Sequence, residues 1–261
     1  MMTMKTGIDA HCHLEYMEDA EGVAKKVRET MAGAVCSVPD PKDYKKILEL
    51  RKRFSDCISV CLGIHPESFF KYNEREIEDW VEFIKNHKKE IVGIGEIGLD
   101  YAWVKEKEKQ EKTKEVFVKF INLADELRLP IVIHIRNGTE DAFADTFKIL
   151  TNQNAKDVVL HCFSGNEQQL KYSLEQGYWI SYATIICKSD KHKRLAGKTP
   201  LESMMLETDA PWLDPESKEL INRPWKIARS AEIIGKIHGK TIDEILKITE
   251  DNTKKIFRLE L

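Results

Sequence analysis

The sequence alternates between short apolar runs and longer amphipathic segments along its whole length. Eight of the runs are rich in β-branched or other apolar residues, as the strands of a parallel sheet are. The segments between them carry apolar residues every three or four positions, for example Ile77, Trp80, Val81 and Ile84, which predicts helices that cover the sheet. The predicted strands are Thr6–Ala10, Ala34–Val38, Cys57–Gly63, Ile91–Gly95, Ile131–Ile133, Val158–Leu160, Tyr178–Ser181 and Met204–Leu206.

This repetition favours one barrel over two smaller domains. The chain has 261 residues, with no low-complexity linker and no break in composition, and eight β/α units of this total length are typical of a single (β/α)8 barrel. Thr241 and Glu244 have the spacing of a capping box, so a last helix is expected to run from there toward Phe257. We therefore expect one α/β domain over residues 1–261, a TIM-like barrel with a C-terminal helix.

Polar side chains of the kinds that bind metals follow five of the predicted strands. In a barrel the carboxyl ends of all strands meet at one mouth, where catalytic groups lie. Imidazole and carboxylate groups are common ligands of divalent metals, and burying several of them without partners would be costly. The sequence therefore predicts a metal site at the mouth. The candidate ligands are His11, His13, Glu96, His134, His161 and Asp209.

Each of these residues also has a structural explanation when it is considered alone. A single histidine after a strand is more often a hydrogen-bonding residue than a ligand. The combination favours metal, because His11 and His13 are two residues apart and an extended strand directs both rings to one side, with Cys12 on the other.

Composition excludes several classes of protein. With 41 basic and 44 acidic residues the net charge is -3, which excludes a globally basic nucleic-acid coat and leaves a local basic patch possible. The six cysteines form no paired CxxC motifs, so reduced, buried thiols are expected. No signal-peptide core or membrane-length apolar run is found, and we expect a cytoplasmic protein with no membrane association and no obligate protein partner.

The chain resembles the TatD family of metal-dependent hydrolases, a branch of the amidohydrolase superfamily. The matching motifs occur in the family's order over nearly the whole length, and G-E-x-G-L-D, H-C-F-S-G and E-T-D-x-P together are highly specific. The motifs are Asp9-Ala10-His11-Cys12-His13, Gly63-Ile64-His65-Pro66-Glu67, Gly95-Glu96-Ile97-Gly98-Leu99-Asp100-Tyr101, Leu129-Pro130-Ile131-Val132-Ile133-His134, His161-Cys162-Phe163-Ser164-Gly165 and Glu207-Thr208-Asp209-Ala210-Pro211.

The resemblance implies a barrel with two divalent metal ions. It makes His11, His13 and Asp209 ligands of the more buried ion. It makes Glu96 a carboxylate that bridges both ions, and His134 and His161 ligands of the second. Two ions would activate a water for attack on a phosphodiester, and Asp209 would accept the proton of that water. Zn²⁺ or Mn²⁺ suits the imidazole-rich ligand set, whereas phosphodiester chemistry often uses Mg²⁺.

Further residues near the mouth are candidates for substrate contacts. The resemblance implies that His65 and Arg136 contact phosphate and that Asn222 orients a leaving group or braces the rim. A structural hydrogen bond is the alternative for His65, and a surface salt bridge is the alternative for Arg136. Trp103 and Tyr101 are candidates for stacking on bases or for packing.

Basic residues at positions 188–198 would place positive charge at the mouth, unless they form an ordinary solvated loop. The chain also departs from the family pattern at positions expected in the loops that would line the substrate path, which leaves the substrate open. It has Glu67 in place of a second histidine, Asn137-Gly138 in place of Asp-Ala, and Thr113 in place of a glutamine.

Three functions are compatible with these residues. The first is a deoxyribonuclease that acts on single-stranded DNA or 3′ ends, in the manner of a 3′–5′ exonuclease, because the resemblance points to DNase activity. The second is a hydrolase of a small molecule with a C–N, C–O or phosphoester bond. The third is a metal-stabilised binding protein, which an open two-metal site disfavours.

Overall fold

Eight parallel strands form one sheet in the order β1 to β8, as the alternating pattern predicts. The computed structural model describes residues 5–260. Each strand pairs with the next along the chain in parallel register. The strands are β1 Ile8–Cys12, β2 Gly33–Val38, β3 Ile58–Leu62, β4 Gly93–Asp100, β5 Ile131–Arg136, β6 Val158–Leu160, β7 Trp179–Tyr182 and β8 Met204–Leu206.

Helices connect the strands and cover the sheet. The helices of the described residues are α1 Ala20–Thr30, α2 Tyr44–Arg53, α3 Glu74–Asn86, α4 Lys107–Leu127, α5 Ala142–Asn152, α6 Glu167–Glu175, α7 Asp190–Ala196, α8 Ile227–His238 and α9 Ile242–Phe257. The buried residues of α3 include Ile77, Trp80 and Ile84, which belong to the predicted apolar face. Within residues 5–260, no helix has both the length and the hydropathy needed to cross a membrane.

The C-terminal helix α9 begins at the predicted capping box. The Thr241 hydroxyl accepts a hydrogen bond from the Glu244 backbone N–H, and the Glu244 carboxylate accepts one from the Thr241 backbone N–H. Ile256 and Phe257 of α9 pack with an apolar cluster that includes Ile8 at the start of β1. All described elements belong to one barrel, and we propose on this basis that the chain forms one domain.

The barrel closes between β8 and β1, next to the predicted ligands. The backbone N–H of Asp209 donates to the carbonyl of His11 over 3.0 Å, and the N–H of His13 donates to the carbonyl of Ala210 over 2.8 Å. The seam therefore fixes the backbones of three candidate ligands relative to one another.

Three strands extend two or more residues beyond the ends that the sequence predicts. Strands β1, β4 and β5 run two, five and three residues beyond their predicted ends. The prediction was wrong because it ended each strand where the apolar run stops, whereas polar ligands continue these strands. In β1 and β4 the pairing register also shifts at the ligand positions, and such bulges can re-aim a side chain beside an active site. The observed ends are Cys12, Asp100 and Arg136.

All six cysteines are free. Cys12 is fully buried, and its Sγ lies 3.9 Å from that of Cys36, away from the neighbouring histidines.

Candidate metal centre

A cavity of about 710 Å³ lies at the carboxyl ends of the strands. Five of the six candidate ligands line it, and His11 is fully buried beside them. The convergence follows from the fold, because the segments that carry these residues end their strands at the same mouth.

The first group of ligand atoms surrounds one point. Nε2 of His11 and Nε2 of His13 are 3.0 Å apart. Oε2 of Glu96 lies 3.5 Å from each of these nitrogens. Oδ1 of Asp209 lies 3.8 Å from Nε2 of His11 and 3.4 Å from Nε2 of His13. Two imidazole nitrogens and two carboxylate oxygens are a ligand set that suits a divalent transition metal.

The second group of ligand atoms faces the other oxygen of the same carboxylate. Oε1 of Glu96 lies 2.9 Å from Nδ1 of His134 and 3.3 Å from Nε2 of His161. Nε2 of His65 is 3.6 Å from this oxygen. The two oxygens of Glu96 therefore face different sets of histidines, and this arrangement fits a carboxylate that bridges two ions.

Asp100 holds the ring of His134. Oδ2 of Asp100 accepts a hydrogen bond from Nε2 of His134 over 2.9 Å, which leaves Nδ1 facing Glu96. Oδ1 of the same carboxylate accepts hydrogen bonds from the backbone N–H groups of Ala102 and Trp103 over 3.0 and 3.1 Å. Asp100 thus connects the orientation of one candidate ligand to the loop that follows β4.

Two further acids hold the outer nitrogens of other histidines. Nδ1 of His13 lies 3.0 Å from Oε1 of Glu15, and Nδ1 of His161 lies 2.8 Å from Oε1 of Glu207. Both acids are buried. A carboxylate on the outer nitrogen fixes the tautomer and raises the basicity of a ligating histidine.

Sequence reasoning assigned no role to these three acids. Asp100 and Glu207 lie within motifs that the sequence analysis quotes, and Glu15 is two residues after His13. A signal was available, because each ligating histidine needs a partner for its second ring nitrogen.

Buried charges set the protonation of the site without metal. Burial favours the neutral ring of His134, but its hydrogen bonds to Asp100 and Glu96 raise its pKa to about 9. The pKa of His161 is also raised, because the charges of Glu207 and Glu96 outweigh burial. Burial alone would raise the pKa of Glu96, but the surrounding histidines hold it well below its ordinary value. The surrounding carboxylates thus favour positive charge at His134 and His161, as expected of a site built for cations.

His65 has a lowered pKa, as His11 does, in contrast to His134 and His161. Burial and the neighbouring His134 lower its pKa to about 3, so the ring is neutral at neutral pH. Its Nδ1 accepts a hydrogen bond from the backbone N–H of Glu67 over 3.2 Å. Nε2 therefore carries the proton and faces the centre as a donor. This geometry combines the two sequence-based interpretations of His65, a structural bond to its loop and a donor directed at the site.

Comparison with known proteins identifies the family. The model of the TatD-related DNase family matches residues 8–258, nearly the whole chain. The chain belongs to the TatD family. It is 31% identical to deoxyribonuclease TATDN3 of Homo sapiens over 96% of this chain and 94% of that protein. It is 35% identical to an uncharacterized metal-dependent hydrolase of Methanocaldococcus jannaschii over 97% of this chain and 98% of that protein.

A solved structure shares the fold of this TatD family protein. The crystal structure of YJJV, a TatD homolog from Escherichia coli K12, superimposes with a TM-score of 0.86 at 24% identity. The superposition covers 97% of this chain and 98% of that one. The family and the barrel predicted from the motifs are thus confirmed, and the protein is a metal-dependent hydrolase.

Two residues expected to contact substrate lie in different surroundings in this TatD protein. Arg136 ends β5 at the cavity and is exposed, with its guanidinium 3.8 Å from Asp100. Asn222 is fully buried and lies outside the lining of the cavity. Its amide donates to the Thr184 hydroxyl and to the carbonyls of Thr208 and Trp212 over 2.7–2.9 Å. Asn222 therefore has the position of a brace for the rim, the second of the two roles that the resemblance implied.

The two aromatic residues after β4 also differ from each other. Tyr101 is 1% exposed and donates its hydroxyl to Asp145, so it packs and offers no face to a base. Trp103 is 64% exposed and lines the cavity. Of the two, only Trp103 remains a candidate for stacking on a base.

The basic stretch at residues 188–198 is mostly the helix α7, and its cationic side chains are engaged in hydrogen bonds and ion pairs. Lys188 donates to the carbonyls of Asp214 and Ser217 over 2.8 Å. Arg194 and Lys198 both pair with Glu167. These bonds favour the ordinary structural explanation over a free cationic patch.

The three residues that depart from the family pattern lie in different parts of the structure. Glu67 lines the cavity, whereas Thr113 lies in the core-facing side of α4 and Asn137 caps the start of α5 through Phe143. The expectation that all three line the substrate path was therefore wrong for Asn137 and for Thr113, whose buried hydroxyl donates to the carbonyl of Lys109 in its own helix.

Proposed function

We propose that this protein is a divalent-metal-dependent deoxyribonuclease with a two-metal site. The observation that carries the proposal is that Oε2 and Oε1 of Glu96 face two separate sets of nitrogens, at 3.5 Å and at 2.9–3.3 Å. A site for a single ion would need only one of these sets. The family description and the name of the human relative supply the class of substrate.

The residues divide between the two ions according to the two oxygens. His11, His13 and Asp209 would hold the first ion, His134 and His161 the second, and Glu96 both. Mg²⁺, Mn²⁺ and Zn²⁺ are the candidate ions. When bound, such a pair lowers the pKa of a water and neutralises charge on the entering and leaving oxygens of a phosphodiester.

The protein's own groups would complete the reaction. The Asp209 carboxylate is 18% exposed and lines the cavity, where it can accept the proton of the attacking water. Arg136 extends from the end of β5 with 56% of its side chain exposed, and its planar guanidinium suits two parallel bonds to a phosphate. Nε2–H of His65 offers a neutral donor to a phosphate oxygen at the side of the second ion.

We further propose that the substrate is single-stranded DNA or a 3′ end, with removal of nucleotides in the 3′–5′ direction. An exposed strand end is the form of DNA that a cavity within the barrel mouth can admit. The cytoplasmic location expected from the sequence stays a prediction, as does the lack of an obligate protein partner.

The test is hydrolysis by the protein stripped of metal and reloaded with Mg²⁺, Mn²⁺ or Zn²⁺. The substrates are single-stranded and blunt duplex DNA carrying a 5′ label, together with a panel of cyclic amides and small phosphoesters. We expect a ladder of products that shortens from the 3′ end of the single strand, and no activity of Glu96→Gln. Asp145→Asn, a change of the same kind beside the site, is the matched control. Turnover of an amide with all DNA left intact would instead support the small-molecule hydrolase.

A further inference from the structure

Exposed apolar side chains are concentrated at the mouth of the barrel. Seven large hydrophobic side chains of the described residues are exposed. Five of them lie in segments that follow strands β1, β3, β4 and β8, the loops of the catalytic end. Apolar patches of this kind mark places that bind a partner or ligand. The five are Tyr16, Phe70, Trp103, Leu220 and Ile221.

Trp103 forms one apolar face of the cavity. Its ring is 64% exposed, and tryptophan is usually well buried in a folded protein. In residues 5–260 no other aromatic ring and no lysine or arginine stacks on it. Its backbone N–H is held by Asp100, the residue that also holds His134. Asp100 therefore holds the backbone of Trp103 close to His134, a member of the second group of candidate ligands.

Tyr16 and Trp212 form a second aromatic face. Their ring centroids are 5.2 Å apart in an edge-to-face arrangement, and Trp212 packs edge-on against His13 at 5.1 Å. The Trp212 backbone is fixed by a hydrogen bond to the carbonyl of Asp209 and by one from the buried amide of Asn222. This pair is therefore a preformed surface at the side of the first metal group.

The two faces lie across the mouth from each other. Tyr16 follows β1 and Trp212 follows β8, and these strands close the barrel, whereas Trp103 follows β4. In the order β1 to β8, strand β4 is on the far side of the ring from that closure. The cavity between the two faces contains the Glu96 carboxylate and the phosphate-facing groups His65 and Arg136.

We propose that Trp103 on one side and the Tyr16–Trp212 pair on the other are stacking sites for the two unpaired nucleobases that flank the hydrolysed phosphodiester. This inference rests on the proposed function and deepens it. Flat aromatic rings bind every base through its π-face without reading sequence. Bases of an intact duplex have no free face, so the arrangement selects single strands and frayed ends.

The test measures binding separately from cleavage. The metal-loaded protein is titrated with a non-hydrolysable single-stranded oligodeoxynucleotide, with the same strand lacking its two terminal bases, and with a blunt duplex, and tryptophan fluorescence is followed. Trp103→Ala is expected to weaken binding of the base-carrying strand roughly tenfold or more, as stacking on one aromatic residue implies. Trp103→Phe should recover most of the loss. The strand without terminal bases should bind the wild type and Trp103→Ala equally.

Two more variants make the test specific. Tyr16→Ala should weaken binding of the base-carrying strand, while Tyr16→Phe should retain it. Phe70→Ala is the matched control, because Phe70 is 40% exposed on a neighbouring loop but lies outside the lining of the cavity. The affinity of this variant for the base-carrying strand should equal that of the wild type. Trp212 is not varied, because it packs on a candidate ligand.

The outcomes separate this inference from the proposed function. Equal affinity of the wild type and Trp103→Ala for the base-carrying strand would overturn the stacking site, whether or not DNA is cleaved. Tighter binding of the blunt duplex than of the single strand would overturn it as well. Binding that depends on Trp103 without cleavage under any metal would overturn only the proposed nuclease activity.

Discussion

Replacing Asp100 by asparagine should remove the second metal ion while the barrel stays intact. In the wild type, Oδ2 of Asp100 accepts a hydrogen bond from Nε2–H of His134, so the proton that the ring gives up when metal binds is the one on Nδ1, which faces Glu96. Oδ1 accepts from the N–H groups of Ala102 and Trp103. In Asp100→Asn the amide oxygen must stay with these two donors, because turning it over would place the NH₂ group against them.

The amide NH₂ of Asp100→Asn would then face Nε2 of His134 as a donor. Nε2 would have to accept, so the proton of the neutral ring would move to Nδ1, the atom needed to bind metal. The variant thus selects the tautomer in which Nδ1 cannot bind metal. It also removes the charged partner of Nε2, and a hydrogen bond to a charged group contributes about 1.5–3 kcal/mol. Losing the outer partner of a ligating histidine typically weakens metal binding by about 10–100-fold. Because both effects act together, we expect the affinity for the second ion to fall by the upper end of this range, about 100-fold or about 2.7 kcal/mol.

The assay is calorimetric titration of the metal-free protein with Mn²⁺ or Zn²⁺, together with metal analysis after dialysis. The wild type should bind two ions, and Asp100→Asn should bind one ion normally and the other weakly. The control is Asp145→Asn, which removes the same charge from a residue bonded to Tyr101 and Lys114 outside the centre. Two ions bound by Asp100→Asn with unchanged affinity would refute the tautomer argument.

Four further predictions concern other groups of the site. Because the pKa of His134 is raised to about 9, metal binding at pH 7 should release protons, and the apparent metal affinity should rise with pH up to about 9, which calorimetry can check. The same raised pKa stabilises the metal-free fold below pH 6.5. Melting curves should show this contribution being lost as pH rises through about 9. Glu96→Ala and Asp209→Ala should each reduce hydrolysis to background with a retained circular dichroism spectrum, and turnover in either would contradict the two-metal assignment. Arg136→Ala should raise KM about tenfold with little change in kcat, as expected when one contact to phosphate is lost. Asn222→Ala should lower the free energy of unfolding by about 2–4 kcal/mol because buried acceptors lose their donor, and a changed KM without destabilisation would return Asn222 to the substrate site.

The barrel and the convergence of the candidate ligands could be predicted because both follow from simple periodicities. Strand-like runs alternating with helical patterns define the eight units, and a parallel barrel directs every strand end to one face. His11 and His13 converge at Nε2 as their two-residue spacing predicts. No packing detail was needed for this step.

The strand ends were missed because candidate metal-binding side chains replace the apolar core at the top of the barrel. Hydrophobic runs stop at Ala10 and Gly95, but the strands continue through His11 and Glu96, whose polar groups are satisfied by one another. A prediction based on apolar residues therefore ends each strand at the point where the buried side chains change from apolar to polar.

The partners of the histidines and the state of the basic residues depend on contacts distant in sequence. Glu207 meets His161 across 46 positions, and Arg194 meets Glu167 across 27. The sequence shows that such acids and bases exist, whereas only the folded chain decides which pairs form. Trp103 and Tyr101 show the same limit, since they are two residues apart and yet one is exposed and the other is buried.

The brace formed by Asn222 has a consequence for how this enzyme could diverge. One buried amide joins Thr184 after β7 to Thr208 and Trp212 after β8, so a change of length in either loop would break bonds in both. At the start of α4, by contrast, Lys107 and Glu140 form an exposed ion pair, which solvent can replace at little cost. New substrate preferences should therefore arise by insertion and drift at the start of α4, beyond the residues that Asp100 holds, while the opposite rim is inherited nearly unchanged.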